Sequence, residues 1–360
     1  MKKFKFIKTL LLVGFAIILT SGYRIVPQNG ITSFKETKGY SISKLDTLRD
    51  FLKKSGASSM MIMLDGKVVF DWGNTDEKHV IHSIRKPLIH ALLGIAVDQK
   101  KIDTSMTLKD LGLQDIHPEL SELELSARIA DLLKSKSGVY HLSSAMTKNM
   151  IKNLPKRNSF KPGEHYFYNN WDFNTLGAIL EKQTGKTIYQ LFLNQIAIPL
   201  GMRDYKGLYK NIDGDANENE DVSEVDGYYK HQKSKSKYPA YHFRMSSRDL
   251  ALLGQLYLND GVWNGQQIVS KEWINISKKP YSIIDDKKGI AYGMLWRLKL
   301  AENGKDVLSF YHTGLEMQIL AIYPDSKMVI VHRVNTEKKY QYNKDDLEKT
   351  LQLVFDSKIK

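Results

Sequence analysis

The stretch HVIHSIRKPLIHALLGIAV, residues 79–97, constrains this chain more than any other. It begins as a short β-type run and turns into a segment that is apolar on nearly every side, which predicts a helix buried all round. Ser83 sits at the turn and Lys86 follows three residues later. Positions three apart share a helix face, so the Lys86 amine can lie beside the Ser83 hydroxyl. A serine is a weak nucleophile until a neighbouring base takes its proton. A lysine serves as that base when burial lowers its pKa by penalising the charged form. The helix start also aims free backbone N–H groups at the site. The spacing by itself is common in a lysine-rich chain and recurs at Ser41/Lys44, Ser234/Lys237 and Ser357/Lys360. Ser83 differs in its setting on a buried helix.

Two later motifs supply partners. Tyr168-Asn169-Asn170 stands just before an expected helix at 170–184. A tyrosine shuttles a proton when a nearby cation stabilises its phenolate. Asn170 can hold the lysine and donate to a substrate carbonyl. On local grounds alone a packing tyrosine is the better reading of Tyr168. His312-Thr313-Gly314 lies between two β-rich runs. Gly314 there lets a substrate backbone approach closely. The amide of Leu315 can then join that of Ser83 as an oxyanion hole. A lone His-x-Gly is usually structural.

The rest of the chain orders itself around these motifs. A helix is expected at 43–55, ended by Gly56, then strands at 58–64 and 68–72 joined by the hairpin signal Asp65-Gly66. Residues 104–240 read as helical, with elements at 107–111, 126–133, 170–184 and 187–196. Within them, 211–238 is acidic then basic, which reads as a solvated, mobile loop. Asp213, Asp215, Asn217, Asp221 and Glu224 fall at the oxygen offsets of a calcium loop, but Glu218 occupies the obligatory glycine position and no flanking helices are evident. Helices at 247–258, 270–277 and 345–355 enclose β-rich runs at 292–298, 307–312, 317–323 and 328–334. The expected fold is therefore α/β (α+β): an antiparallel sheet flanked by helices, built from 41–103 and 241–360, with an inserted all-helical domain at 104–240.

Lys2, Lys3, Lys5 and Lys8 precede an apolar run at 10–19 and the small residues Thr20-Ser21-Gly22. That predicts a signal peptide over 1–22, followed by a linker at 23–40. An anchor over 9–22, giving membrane association, is the variant reading. The net charge of +13 is partly in this leader. No basic element is interleaved with aromatics, so no nucleic-acid partner is expected. There is no cysteine, which excludes thiolate chemistry and disulfides. The chain lacks a G-x-S-x-G elbow, a P-loop and an H-E-x-x-H motif. Neither a cofactor nor a metal is expected, and the partner is a small-molecule or peptide-like substrate.

Taken together, in this order and on these elements, Ser83-Ile84-Arg85-Lys86, Tyr168-Asn169-Asn170 and His312-Thr313-Gly314 resemble the serine β-lactamase and penicillin-binding-protein superfamily, whose pattern is S-x-x-K, Y-x-N, K/H-[ST]-G. SIRKPLIHALLGIAVDQKKID, ARIADLLKSKSGVYH and PGEHYFYNNWDFNTLGAILEKQTG are similar to its class C-like serine hydrolases, especially the 6-aminohexanoate-dimer hydrolase and esterase branch. The resemblance implies an active site between the two domains. Ser83 would be acylated, with Lys86 and Tyr168 sharing its proton and later activating water. Asn170, His312, Thr313 and Gly314 would bind substrate, and the Ser83 and Leu315 amides would hold the oxyanion. The expected activity is an exported hydrolase of small amides or esters. The alternatives are a β-lactamase or D-alanyl-D-alanine carboxypeptidase-like enzyme, and a catalytically idle binding or sensor protein. His312 stands where penicillin-recognising relatives often have lysine. An exposed histidine there, mostly neutral at pH 7, argues against strong β-lactam recognition.

Overall fold

The computed structural model describes residues 39–116, 118–217 and 220–359. The expected leader and nearly all of the 23–40 linker lie outside them. Eight strands form one antiparallel sheet in the order Lys67–Gly73, Ser59–Leu64, Met328–Arg333, Gln318–Tyr323, Val307–Gly314, Arg297–Leu300, Ile290–Tyr292, Ser282–Asp285. Ser59–Leu64 pairs with Met328–Arg333, so the two ends of the chain complete one sheet. Asp65 and Gly66 turn the first hairpin with φ of 48° and 75°, the left-handed pair that a two-residue turn between twisted strands requires.

Side chains alternate across a strand, and here both faces are covered. Met60, Ile62, Ile319 and Ile330 point toward helices Ile42–Ser55 and Lys344–Asp356, where Leu45, Leu48, Leu52, Leu347 and Val354 meet them. Met61, Met63, Leu320, Val329 and Val331 face the other way, into the core shared with helix Ser247–Leu258. Helix Arg85–Asp98 belongs to that same core and packs on Asn170–Thr184 and Ile188–Phe192. Its residues Arg85 to Ala96 are buried without a break, as its all-round apolar pattern predicts. Full burial of each large apolar side chain contributes about 1.5–3 kcal/mol.

The middle of the chain is not all helical. His79–Val80, Ala240–Met245, Gly227–His231 and Tyr209–Asp213 form a second, four-stranded sheet in that order, the last pair parallel. The segment expected to be a mobile loop is thus largely structured. Its charge pattern misleads because Asp226, inside the acidic half, is fully buried. Asp226 accepts from the amides of Lys206 and Leu208 and pairs with Lys78. The other acids turn to separate partners: Asp213 to the amides of Asp215 and Ala216, Asp215 to Ser234, Asp221 to Ser223. Residues 107–111 form turns rather than a helix, with Asp110 bonding the Thr107 amide and hydroxyl. The expected strand at 292–298 is instead split: residues 293–296 are the bend of a hairpin between Ile290–Tyr292 and Arg297–Leu300.

Candidate active site

Ser83 is placed by the second sheet. The amide of Ile81 donates to the Phe243 carbonyl at 3.0 Å, which extends the pairing of His79–Val80 with Ala240–Met245. His82 then takes φ of 48°, a left-handed conformation that costs a non-glycine residue about 1–2 kcal/mol. It reverses the chain into a single 3-10 turn, His82–Ile84, that feeds helix Arg85–Asp98. The surroundings hold this strain. His82 Nε2 lies 2.7 Å from Thr336 Oγ1, and Glu337 accepts from the Val80 amide at 2.8 Å. Arg333, fully buried on the main sheet, donates to the carbonyls of His79, Val80 and Met245. One arginine therefore ties the main sheet to both strands that carry the turn.

Ser83 is half-buried, whereas Lys86 is completely buried. Lys86 Nζ lies 3.1 Å from Ser83 Oγ. It sits 4.2 Å over the Phe173 ring and 4.7 Å over that of Tyr168. Burial holds its pKa well below the ordinary lysine value, and the charges of Arg85 and Arg297 push the same way. The amine is therefore available as a base. Ser83 also bears on the Tyr168 phenol, favouring its ionised form. Burial raises the Tyr168 pKa, while Ser83, Arg297 and Arg85 act to lower it. The three residues singled out from sequence thus converge on one hydroxyl.

The third motif comes from the main sheet. At Gly314 an added Cβ would stand 2.6 Å from the Ile81 carbonyl oxygen, so glycine is what lets this strand touch the turn that carries Ser83. That contact, rather than a substrate backbone alone, explains the residue. Leu315 stands one residue beyond Gly314 and Ser83 two residues beyond Ile81, and Leu315, with φ of 49°, is exposed. His312 is not exposed, contrary to expectation: 1% of its surface is accessible. Burial holds its pKa well below the usual histidine value, reinforced by Lys86 and Arg297. Thr313 is half-buried on the same strand. Asn170 starts helix Asn170–Thr184, and its amide donates to the Ala145 carbonyl at 2.6 Å rather than to Lys86.

Sequence reasoning missed two cations. Arg297 faces Tyr311 across the strand pair beside His312, 5.6 Å over the Tyr168 ring, with its Nε buried and unpartnered. Arg85 stands inside the first motif, 3% exposed. The one signal for Arg297 was a charged residue within the apolar run 294–298.

A β-lactamase family model matches residues 46–355. A D-aminopeptidase of Brucella anthropi is 25% identical over 194 residues, 45% of this chain but 36% of that protein, so the match spans about a third of its length. Among solved structures, one described as a 6-aminohexanoate-dimer hydrolase from Bacillus anthracis superposes with a TM-score of 0.61 at 20% identity, over 86% of this chain and 80% of that one. A family VIII carboxylesterase gives 0.60 at 15% identity, over 89% and 99%. The family match spans both sheets and all three motifs, and the chain belongs to the β-lactamase family of serine hydrolases.

Proposed function

We propose that this chain hydrolyses small esters or linear amides through an acyl-enzyme on Ser83. The observation that carries this reading is a fully buried amine, its pKa held well below the ordinary lysine value, 3.1 Å from the Ser83 hydroxyl. Lys86 takes the Ser83 proton as Oγ attacks the substrate carbonyl. The oxyanion forms against the backbone amides of Ser83 and Leu315. Tyr168, reached from Ser83, passes the proton to the departing alcohol or amine. Water then enters, gives one proton to the Lys86–Tyr168 pair, and releases the acid as Ser83 is reprotonated. Asn170 and Thr313 line the substrate's path. Rate should fall as pH drops through the lowered Lys86 value, because the protonated amine accepts nothing. A fluorophosphonate probe tests the nucleophile: a mass adduct on the Ser83 peptide is expected, and an adduct elsewhere, or none, overturns the reading.

Arg297 supports a second reading, a β-lactamase or carboxypeptidase-like activity on carboxylate substrates. The neutral His312 offers no fixed charge, but the Arg297 guanidinium lies one strand away beside Tyr168. Comparing kcat/KM for nitrocefin and a p-nitrophenyl ester separates the two, with the ester expected to be turned over better. We also propose export directed by residues 1–22, on their sequence pattern alone. N-terminal sequencing of protein recovered outside the cytoplasm is expected to start near Tyr23.

A further inference from the structure

Arg85 is a buried guanidinium with an unusual set of neighbours. It lies 4.2 Å over the Tyr241 ring, Nη2 donates to Asn174 Oδ1 at 3.3 Å, and Nη1 is buried without a partner. Among the described residues no carboxylate pairs with it. An uncompensated buried charge is strongly destabilising, so proteins usually pair one. Yet the seat is built for it. Asn174 is fixed by its own donation to the Ser144 carbonyl at 3.1 Å. Gly177 admits the Tyr241 ring, which an added Cβ would meet at 2.7 Å. Three separate segments thus hold a guanidinium that no anion offsets. Its depth, 3% exposed, also keeps it from touching substrate.

The residue next to it is Lys86. Around that amine stand Ser83 from the turn, Tyr168 and Phe173 from the start of helix Asn170–Thr184, and His312 from the main sheet. Arg297 faces it from the adjacent strand and His242 from the second sheet. Arg85 itself is faced by Tyr241, Tyr228, Tyr168, His242, His82 and His312. Burial keeps all three histidines neutral, His82 down to about 3. Among the described residues, the fixed charges facing the Lys86 amine are the Arg85 and Arg297 guanidiniums, and none is negative.

We propose that Arg85 is a positioning residue of this site: its guanidinium charge, seated on Tyr241 and Asn174 with nothing to offset it, excludes a second positive charge from the Lys86 amine and keeps that amine in its proton-accepting form. The inference rests on the reading of Lys86 as the base for Ser83. Two unit charges several ångströms apart in a protein interior interact by the equivalent of about one to two pH units.

The test reads Lys86 directly. In full-length protein carrying 15N-lysine, the Lys86 Nζ resonance is assigned with Lys86→Arg and titrated by NMR in the unmodified protein, Arg85→Lys, Arg85→Met and Asn174→Asp. The expected result is a midpoint well below the ordinary lysine range that Arg85→Lys preserves and Arg85→Met raises by about one pH unit. Asn174→Asp, which sets a carboxylate against Arg85 at nearly unchanged shape, raises it in the same direction even if Arg85→Met fails to fold. The acid limb of kcat/KM for a p-nitrophenyl ester moves with the midpoint. If no ester is hydrolysed but the midpoint shifts as stated, the proposed function fails and the role of Arg85 stands. A Lys86 midpoint in the ordinary range, or one that Asn174→Asp leaves unmoved, overturns the inference.

Discussion

Two buried charged clusters in this molecule are built on opposite rules. Around Glu124, which is 1% exposed, every demand of the carboxylate is met. His141 Nε2 lies 2.9 Å away, Arg157 bonds both oxygens, and the Ser121 amide completes a capping box. Burial alone would raise the Glu124 pKa, but His141, Arg157 and Ser121 outweigh it and bring it to about 2. Around Ser83 the balance is left open: buried cations crowd together and, among the described residues, no carboxylate answers them. The first arrangement holds a loop in place. The second holds the pKa of the Lys86 amine well below the ordinary lysine value. Satisfaction marks the structural cluster, and dissatisfaction marks the chemical one.

The largest effect should come from Ser83→Ala, with ester hydrolysis falling on the order of 10³-fold or more at unchanged helix content. A variant that keeps most of its rate would show that the open cluster has no chemical purpose. Next in size are Lys86→Ala and Tyr168→Phe, each with a comparable loss and the double variant little worse than either, because groups acting as a unit are not additive. Tyr168→Phe should melt near the normal temperature. Independent, multiplying losses would mean that the two residues share no proton.

The paired cluster should respond in stability instead. Glu124→Ala leaves Arg157 and His141 without their anion and should cost about 3 kcal/mol in urea unfolding, with kcat of the folded protein intact. Its folded pKa lies below the unfolded value, so the stabilisation is full above the ordinary carboxylate range and fades as pH falls through it toward about 2. A large loss of kcat in Glu124→Ala would erase the distinction between the clusters. The smallest effect concerns His312. Because burial keeps it neutral, the ratio of kcat/KM for an anionic and a neutral ester should stay flat between about pH 5.5 and 7.5, around the reference histidine value. A sigmoid in that ratio centred there would return His312 to the solvent.

The legibility of the site followed physical range. Ser83 and Lys86 are three residues apart on one helix, so local periodicity was enough to join them. Tyr168 and His312 were recoverable through the order of their motifs, but a motif says nothing of depth, and His312 was expected at the surface. Arg85 and Arg297 read in sequence like any surface arginine, because what sets them apart is the missing partner. Most of the main sheet was legible from β-rich runs and turn residues, both local, but its Ile290–Tyr292 and Arg297–Leu300 hairpin read as one run and the edge strand Ser282–Asp285 was not expected. The second sheet was not: its parallel pair is non-local, and Asp226, which anchors it, sits among exposed acids that suggest only a loop.

The placement of Arg333 and Gly314 has a consequence for how this enzyme would fail. Ser83 and the third motif ride on different sheets, joined by Arg333 on three carbonyls and by the close approach of Gly314 to Ile81. A seam of that kind can part by a fraction of an ångström while both sheets keep their own hydrogen bonds. Inactivation should then be a sub-global opening, reached at lower urea than the collapse of far-UV ellipticity. The earliest amide to lose exchange protection would be that of Val80, whose acceptor is Glu337 across the joint, well ahead of the Ile319–Ile322 strand core. Working lifetime would be limited by this joint rather than by the thermodynamic strength of either half.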